Sequence, residues 1–125
     1  MDAADLADAF QALAESLDKL RAADNYGGPQ AGTLGKLSAE LSAQASRLRT
    51  LVVAVAITNS GDAVAALEDG TAAANNAAKK LKLAQSAIQI AGLALSLGAA
   101  VISENPGALI TAASGLITAV KTLPT

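Results

Sequence analysis

The stretch LAQSAIQIAGLALSLGAAVIS-E-NPGALITAASGLITAV, residues 83–120, dominates the architecture that this chain can adopt. Its first 21 residues, 83–103, carry no charge, and neither do the 16 residues 105–120. The residue before a proline avoids the helical region, and proline is well suited to open a helix. The sequence therefore predicts two apolar helices joined as a hairpin, with a polar tip at Glu104, Asn105, Pro106 and Gly107.

Lysines flank this predicted hairpin on both sides. Lys79, Lys80 and Lys82 precede it, and Lys121 follows it. Basic residues at the ends of apolar helices favour the surface of an anionic membrane, where each contributes about 1 kcal/mol. They are equally typical of an ordinary solvated helix face. The four lysines are therefore candidate contacts for lipid head groups or another anion.

Small residues recur every four positions along both arms of the hairpin, a spacing that lets helices approach closely in lipid. The same spacing also suits close packing in water. We expect the membrane or oligomer contacts of the hairpin to be made by eight residues: Ile88, Gly92, Leu95, Ser96, Ala100, Thr111, Gly115 and Ala119.

Three interpretations of the hairpin stay open. Helix 83–103 has the length needed to cross a bilayer core of about 30 Å, whereas its partner is short. Alternatively, the hairpin is the core of a soluble bundle or a self-assembly surface, since a helix packed on all sides needs no polar face. In a soluble monomer, helix 83–103 would have to be central. That arrangement resembles in outline the pore-forming colicins and α-helical toxins, with no shared motif.

The first two predicted helices are amphipathic. A loop over 24–35 separates the first, 3–23, from the second, 34–58, on whose apolar seam Gln44 is the one polar residue. The stretch 51–57 is apolar on all sides, which predicts burial all round. The first helix carries a heptad seam with spacings of 4, 3, 4 and 3, formed by Leu6, Phe10, Leu13, Leu17 and Leu20.

A third helix is predicted over 62–103, continuous or kinked, although Gly70 interrupts its pattern and two helices are an alternative. A last helix covers 106–122. The whole chain, 1–125, is predicted to be one all-α domain, either a four-helix bundle or an elongated helical hairpin or coiled coil with one long third helix. Residues 1–82 form its amphipathic coiled-coil part, and 83–123 form the hydrophobic hairpin.

The composition excludes several function classes. The chain has no Cys and no His, which excludes a zinc finger, a thiol nucleophile and a Ser-His-Asp triad. A net charge of −2 argues against nucleic-acid binding. We expect no catalytic residues, metal, cofactor or small-molecule substrate. The acidic start, Met1-Asp2-Ala3-Ala4-Asp5, predicts synthesis in the cytoplasm without a signal peptide, followed by membrane association or non-classical export.

The leading functional prediction is a non-enzymatic helical protein that acts through its hydrophobic C-terminal hairpin. The hairpin would oligomerise, insert into a membrane, or do both, as a pore-forming or lysis component. The alternative is a wholly soluble assembly subunit, such as an adaptor, a secretion-system helper or a filament protomer. The expected partners are copies of the chain itself or other helical proteins, together with an anionic membrane.

Overall fold

The computed structural model describes residues 3–23 and 29–123, and within them the chain is all-helical, as predicted. The predicted loop over 24–28 lies outside the described residues, and residues 29–35, also predicted as loop, are helical. Proline fits this helix start because its missing N–H has no intrahelical partner there. The helices are α1 (Ala4–Ala23), α2 (Pro29–Arg49), α3 (Val55–Thr58), α4 (Gly61–Lys80), α5 (Ala84–Ile102) and α6 (Pro106–Lys121).

The long helices pack in a closed order in which each contacts the next. Helix α1 packs against α2, α2 against α5, α5 against α6, α6 against α4, and α4 against α1. A further contact between α1 and α5 crosses the middle of this ring. Helices α1 and α5 therefore meet inside the ring, and the heptad seam predicted for α1 is buried along its whole length.

Helices α1 and α2 form an antiparallel pair that is tied by two polar contacts. Arg49 Nη1 lies 2.6 Å from Asp8 Oδ1, in an exposed ion pair. Further along, the buried Ser38 hydroxyl donates a hydrogen bond to the Ala14 carbonyl oxygen at 3.2 Å. Asp8 lies early in α1 and Arg49 at the end of α2, whereas Ala14 and Ser38 lie near the middle of each helix, as antiparallel pairing requires.

The second predicted helix is too long, because α2 ends at Arg49 and residues 51–54 are not helical. Burial all round is also wrong for this stretch: Val52 is 79% exposed and Val55 70%, whereas Val53 and Ile57 are buried. Residues 51–54 are not helical because Val52 and Val53 are adjacent β-branched residues, whose side chains lose rotamer freedom in a helix and suit extended backbone.

One long third helix is likewise wrong, since α4 and α5 are separate. Leu81 and Leu83 have extended backbone, with ψ angles of 125° and 136°. A helix over 62–103 would be about 63 Å long at 1.5 Å per residue, and could not lay its two halves against each other. The break lets both halves join the same core, where Leu81 is buried. Gly70, suspected as the interruption, lies buried inside α4.

Candidate membrane hairpin and its basic end

The turn between α5 and α6 closes the C-terminal hairpin, which we define as α5, the turn and α6. Glu104 has a left-handed backbone, with φ at 63°. Its N–H donates to the Val101 carbonyl oxygen at 3.2 Å, and the Asn105 N–H donates to the Ala100 carbonyl oxygen at 3.2 Å. These two bonds form a Schellman motif, which satisfies the last carbonyls of α5.

Asn105 then starts α6 directly. Its side-chain oxygen accepts a hydrogen bond from the Ala108 N–H at 3.0 Å, and Pro106 occupies the first turn. The four predicted tip residues thus lie in one turn, where Pro106 is half-buried and the other three are exposed. The hairpin is tight because the end of α5 and the start of α6 share adjacent residues.

Replacing Glu104 by glycine is expected to raise the free energy of unfolding by about 1 kcal/mol, because a left-handed L-residue costs ~1–2 kcal/mol and glycine gives back part of this as unfolded-state entropy. Glu104→Gln removes the same charge but keeps the Cβ, so we expect no stabilisation from it. Urea unfolding of both variants measures the difference. Equal stabilities would contradict a strained backbone at this position.

Helix α5 has an apolar inner face and a weakly polar outer face. Nine of the 19 residues of α5 are buried. The prediction that this helix is central in a soluble form is therefore only partly met. Helices α1, α2 and α6 cover its inner face, with a minor contact from α4. The outer face is a stripe of exposed small or uncharged polar residues, namely Gln85, Gln89, Gly92, Ser96, Ala99 and Ser103.

The structure separates the eight predicted contact residues of the hairpin. Ser96, Thr111 and Gly115 lie together in a shallow groove of about 580 Å³ between α5 and α6. Gly92 is exposed with open space around it, and Ala100 is buried. Eight residues of helix turn through 800°, so Ala100 points roughly 80° away from Gly92. The remaining three, Ile88, Leu95 and Ala119, are half-buried at the edge of the core.

Two other glycines, which the sequence did not single out for this role, lie at close contacts between helices of the core. A Cβ on Gly70 of α4 would lie 2.7 Å from Leu97 Cδ2 of α5. A Cβ on Gly98 would lie 2.7 Å from Phe10 Cε2 of α1 and would overlap the Gln44 side chain. A glycine inside an apolar helix is the signal for such contacts, but its partner cannot be inferred from sequence.

Gln44 is the one polar group on the predicted seam of α2, and it joins α2 to α5. Its Nε2 donates to the Leu95 carbonyl oxygen at 3.3 Å, while its Oε1 is buried without a hydrogen-bond partner. A buried amide oxygen without a partner costs about 1–3 kcal/mol. The contact between α2 and α5 therefore includes an unsatisfied group beside the close approach at Gly98.

The four predicted anion-binding lysines lie at one end of the molecule, which we call the basic end. Helices α4 and α6 run parallel, since Asp62 shares a groove with Ile110, and Lys80 shares another groove with Lys121. The carboxyl ends of both helices therefore meet. The start of α5 lies at the same end, because only residues 81–83 separate it from α4.

All four lysines of the basic end are exposed, and so is Leu83, at 51%. Within the described residues the ion pair between Asp8 and Arg49 is the only one, so none of the four is neutralised by a carboxylate. Asp69 lines the groove of about 380 Å³ that holds Lys80 and Lys121, and Lys121 also lines the neighbouring groove together with Asp62 and Asp69. The basic end thus combines unpaired positive charge with an exposed leucine.

Over residues 3–23 and 29–123 no group of three or more Asp or Glu residues is placed to hold a metal ion. One helix in that part of the chain, α5, is long and apolar enough to cross a membrane, a property that core helices of soluble proteins share. Comparison with models of protein families, with curated proteins and with solved structures finds no match.

Proposed function

We propose that this chain is a non-enzymatic helical protein that inserts its C-terminal hairpin into a membrane, as a pore-forming or lysis component. The observation that carries the proposal is the absence of charge along all of α5 and along α6 up to its last residue, Lys121. The 19 residues of α5 span about 28 Å, close to the ~30 Å of a bilayer core. The 16 residues of α6 span about 24 Å, which a locally thinned bilayer accommodates.

The two faces of α5 suit opposite environments after insertion. The part of its inner face that α1 and α2 now cover is apolar and would meet lipid, while α6 inserts together with α5. Its outer stripe, with Gly92 and Ser96 at the centre, is small and weakly polar. Small residues let helices pack closely in lipid, and hydroxyl groups bond across such contacts. The stripe would therefore face a neighbouring hairpin within the bilayer, which makes an oligomer part of the proposal.

Helices α1 and α2 supply the water-soluble part. In this proposal they pair as a coiled coil through their heptad seams and shield the inner face of the hairpin until insertion. Gln44, with its unsatisfied oxygen, marks the contact between α2 and α5 that has to open. Release there returns a buried amide to water, which lowers the cost of opening.

A soluble assembly subunit is the second candidate, favoured by apolar surface away from the hairpin core. Val52 and Val55 are exposed on the segment between α2 and α4, and Ile110 is 38% exposed on α6. Exposed apolar groups of this kind are typical of protein contact surfaces. In this case the protein would form a defined oligomer and would not bind lipid vesicles.

The test is vesicle flotation and dye release with detergent-free protein, alongside its native mass. We expect the protein to float with anionic vesicles and to release an entrapped dye. A stable soluble oligomer that neither floats nor releases dye would overturn membrane insertion and would favour the assembly subunit.

A further inference from the structure

We propose that the basic end is a docking surface for an anionic phospholipid bilayer, which holds both feet of the hairpin at the membrane surface. This inference rests on the proposed function and specifies its lipid class and orientation. It goes beyond the sequence pattern because three separate elements build the surface. These are the last turn of α4, the 81–83 segment and the last turn of α6, which carry Lys79, Lys80, Lys82 and Lys121.

Helix stability explains only part of this arrangement. Lys79, Lys80 and Lys121 lie in the last turns of two parallel helices, where cations complement the helix dipoles. Lys82 lies beyond α4, between Leu81 and Leu83, and Leu83 is half exposed beside it. Leu83 occupies the N-cap position of α5 but its side chain makes no capping hydrogen bond, so capping does not require a leucine there.

The mixture of groups identifies a bilayer as the occupant. Anionic head groups attract lysines that lie within a Debye length of the surface. A leucine among those lysines can enter the head-group region and bury its apolar surface. A nucleic-acid site would instead offer stacking aromatics or a continuous basic groove.

The test compares two triple variants that lose the same charge. One carries Lys79→Gln, Lys80→Gln and Lys82→Gln. Its matched control carries Lys19→Gln, Lys36→Gln and Arg47→Gln, all exposed positions on α1 and α2. Flotation is measured on phosphatidylserine-containing and on pure phosphatidylcholine vesicles, at low and high salt. We expect the first variant to lose at least tenfold in binding to anionic vesicles, and the control to bind like the unmodified protein.

Tryptophan reporters separate docking from insertion, because the chain has no Trp of its own. Leu83→Trp reports on the basic end, and Gly107→Trp on the opposite, exposed tip of the hairpin. Docking predicts that brominated lipids quench Trp at position 83. Insertion of the hairpin predicts that Trp at position 107 is quenched as well.

Each outcome decides a different point. Equal loss in both triple variants, or equal binding by both, overturns the docking surface even where dye release persists and the proposed function stands. Quenching at position 83 without quenching at 107 supports docking and counts against insertion. Failure of the unmodified protein to bind any vesicle overturns both, and retention on DNA instead of vesicles would assign the lysines to nucleic acid.

Discussion

The Gly92→Arg variant is expected to abolish dye release from vesicles while leaving the soluble fold intact. Gly92 is exposed, lies near the middle of α5, and has open space where a side chain would begin. Arginine also favours a helix more than glycine does, by somewhat under 1 kcal/mol. In a bilayer the same position would be near the midplane, where an arginine costs at least ~2.5–3.5 kcal/mol. Membrane insertion should therefore fall by roughly 50-fold or more.

Gln85→Arg is the matched control for this experiment. Gln85 lies on the same exposed stripe but in the first turn of α5, next to the basic end. An arginine there can extend to the head groups, so little loss of dye release is expected. Thermal unfolding checks that both variants keep the fold. Normal dye release by Gly92→Arg would mean that α5 does not cross the bilayer, and would remove the basis of the proposed function.

The structure shows where a charged substitution can test membrane insertion without disturbing the soluble fold. Leu95, one of the eight predicted contact residues of the hairpin, is half-buried and lies in a groove with Gln44 and Arg47. A charge there would disturb the packed helices as well as any membrane state, so its effect has two explanations. The outer stripe of α5 offers positions where a charge is tolerated in water but is costly at the midplane of a bilayer.

The sequence was most informative where a local rule acts alone. The heptad spacing of α1 predicts its buried face because every large apolar residue falls on one seam. The Glu104-Asn105-Pro106 turn follows from the restriction that proline places on the residue before it, and from the capping side chain of Asn105. These features need no knowledge of which helix packs against which.

Tertiary contacts decide the features that the sequence did not reveal. Residues 81–83 contain no glycine or proline, so the sequence gives no local signal for the break between α4 and α5. The break allows α5 to fold back and pack beside α1 and α2. The exposure of Val52 and Val55 depends on which side of the 51–54 segment meets the core. Likewise, the basic end exists only because α4 and α6 run parallel and end together.

Gly98→Ala is expected to lower the free energy of unfolding by up to about 2 kcal/mol, although it replaces glycine with a better helix former. The new Cβ would lie 2.7 Å from Phe10 Cε2, and Phe10 is fully buried, so its ring has no room to retreat. Overpacking of this kind costs ~1–3 kcal/mol, against a propensity gain of about 1 kcal/mol. Gly92→Ala on the same helix meets nothing and should stabilise by up to about 1 kcal/mol.

Urea unfolding of the two alanine variants measures the difference between their free energies of unfolding. A double-mutant cycle then separates the clash with Gln44 from the clash with Phe10. The added methyl group also meets the Gln44 side chain, which is flexible, whereas the Phe10 ring is not. Combining Gly98→Ala with Gln44→Ala should therefore recover only part of the lost stability, with a coupling of about 0.5–1 kcal/mol. Full recovery would place the whole clash on Gln44. Equal effects of alanine at positions 92 and 98 would mean that α1 does not approach α5 this closely. The hairpin would then be held by α1 less tightly than the close contact at Gly98 indicates.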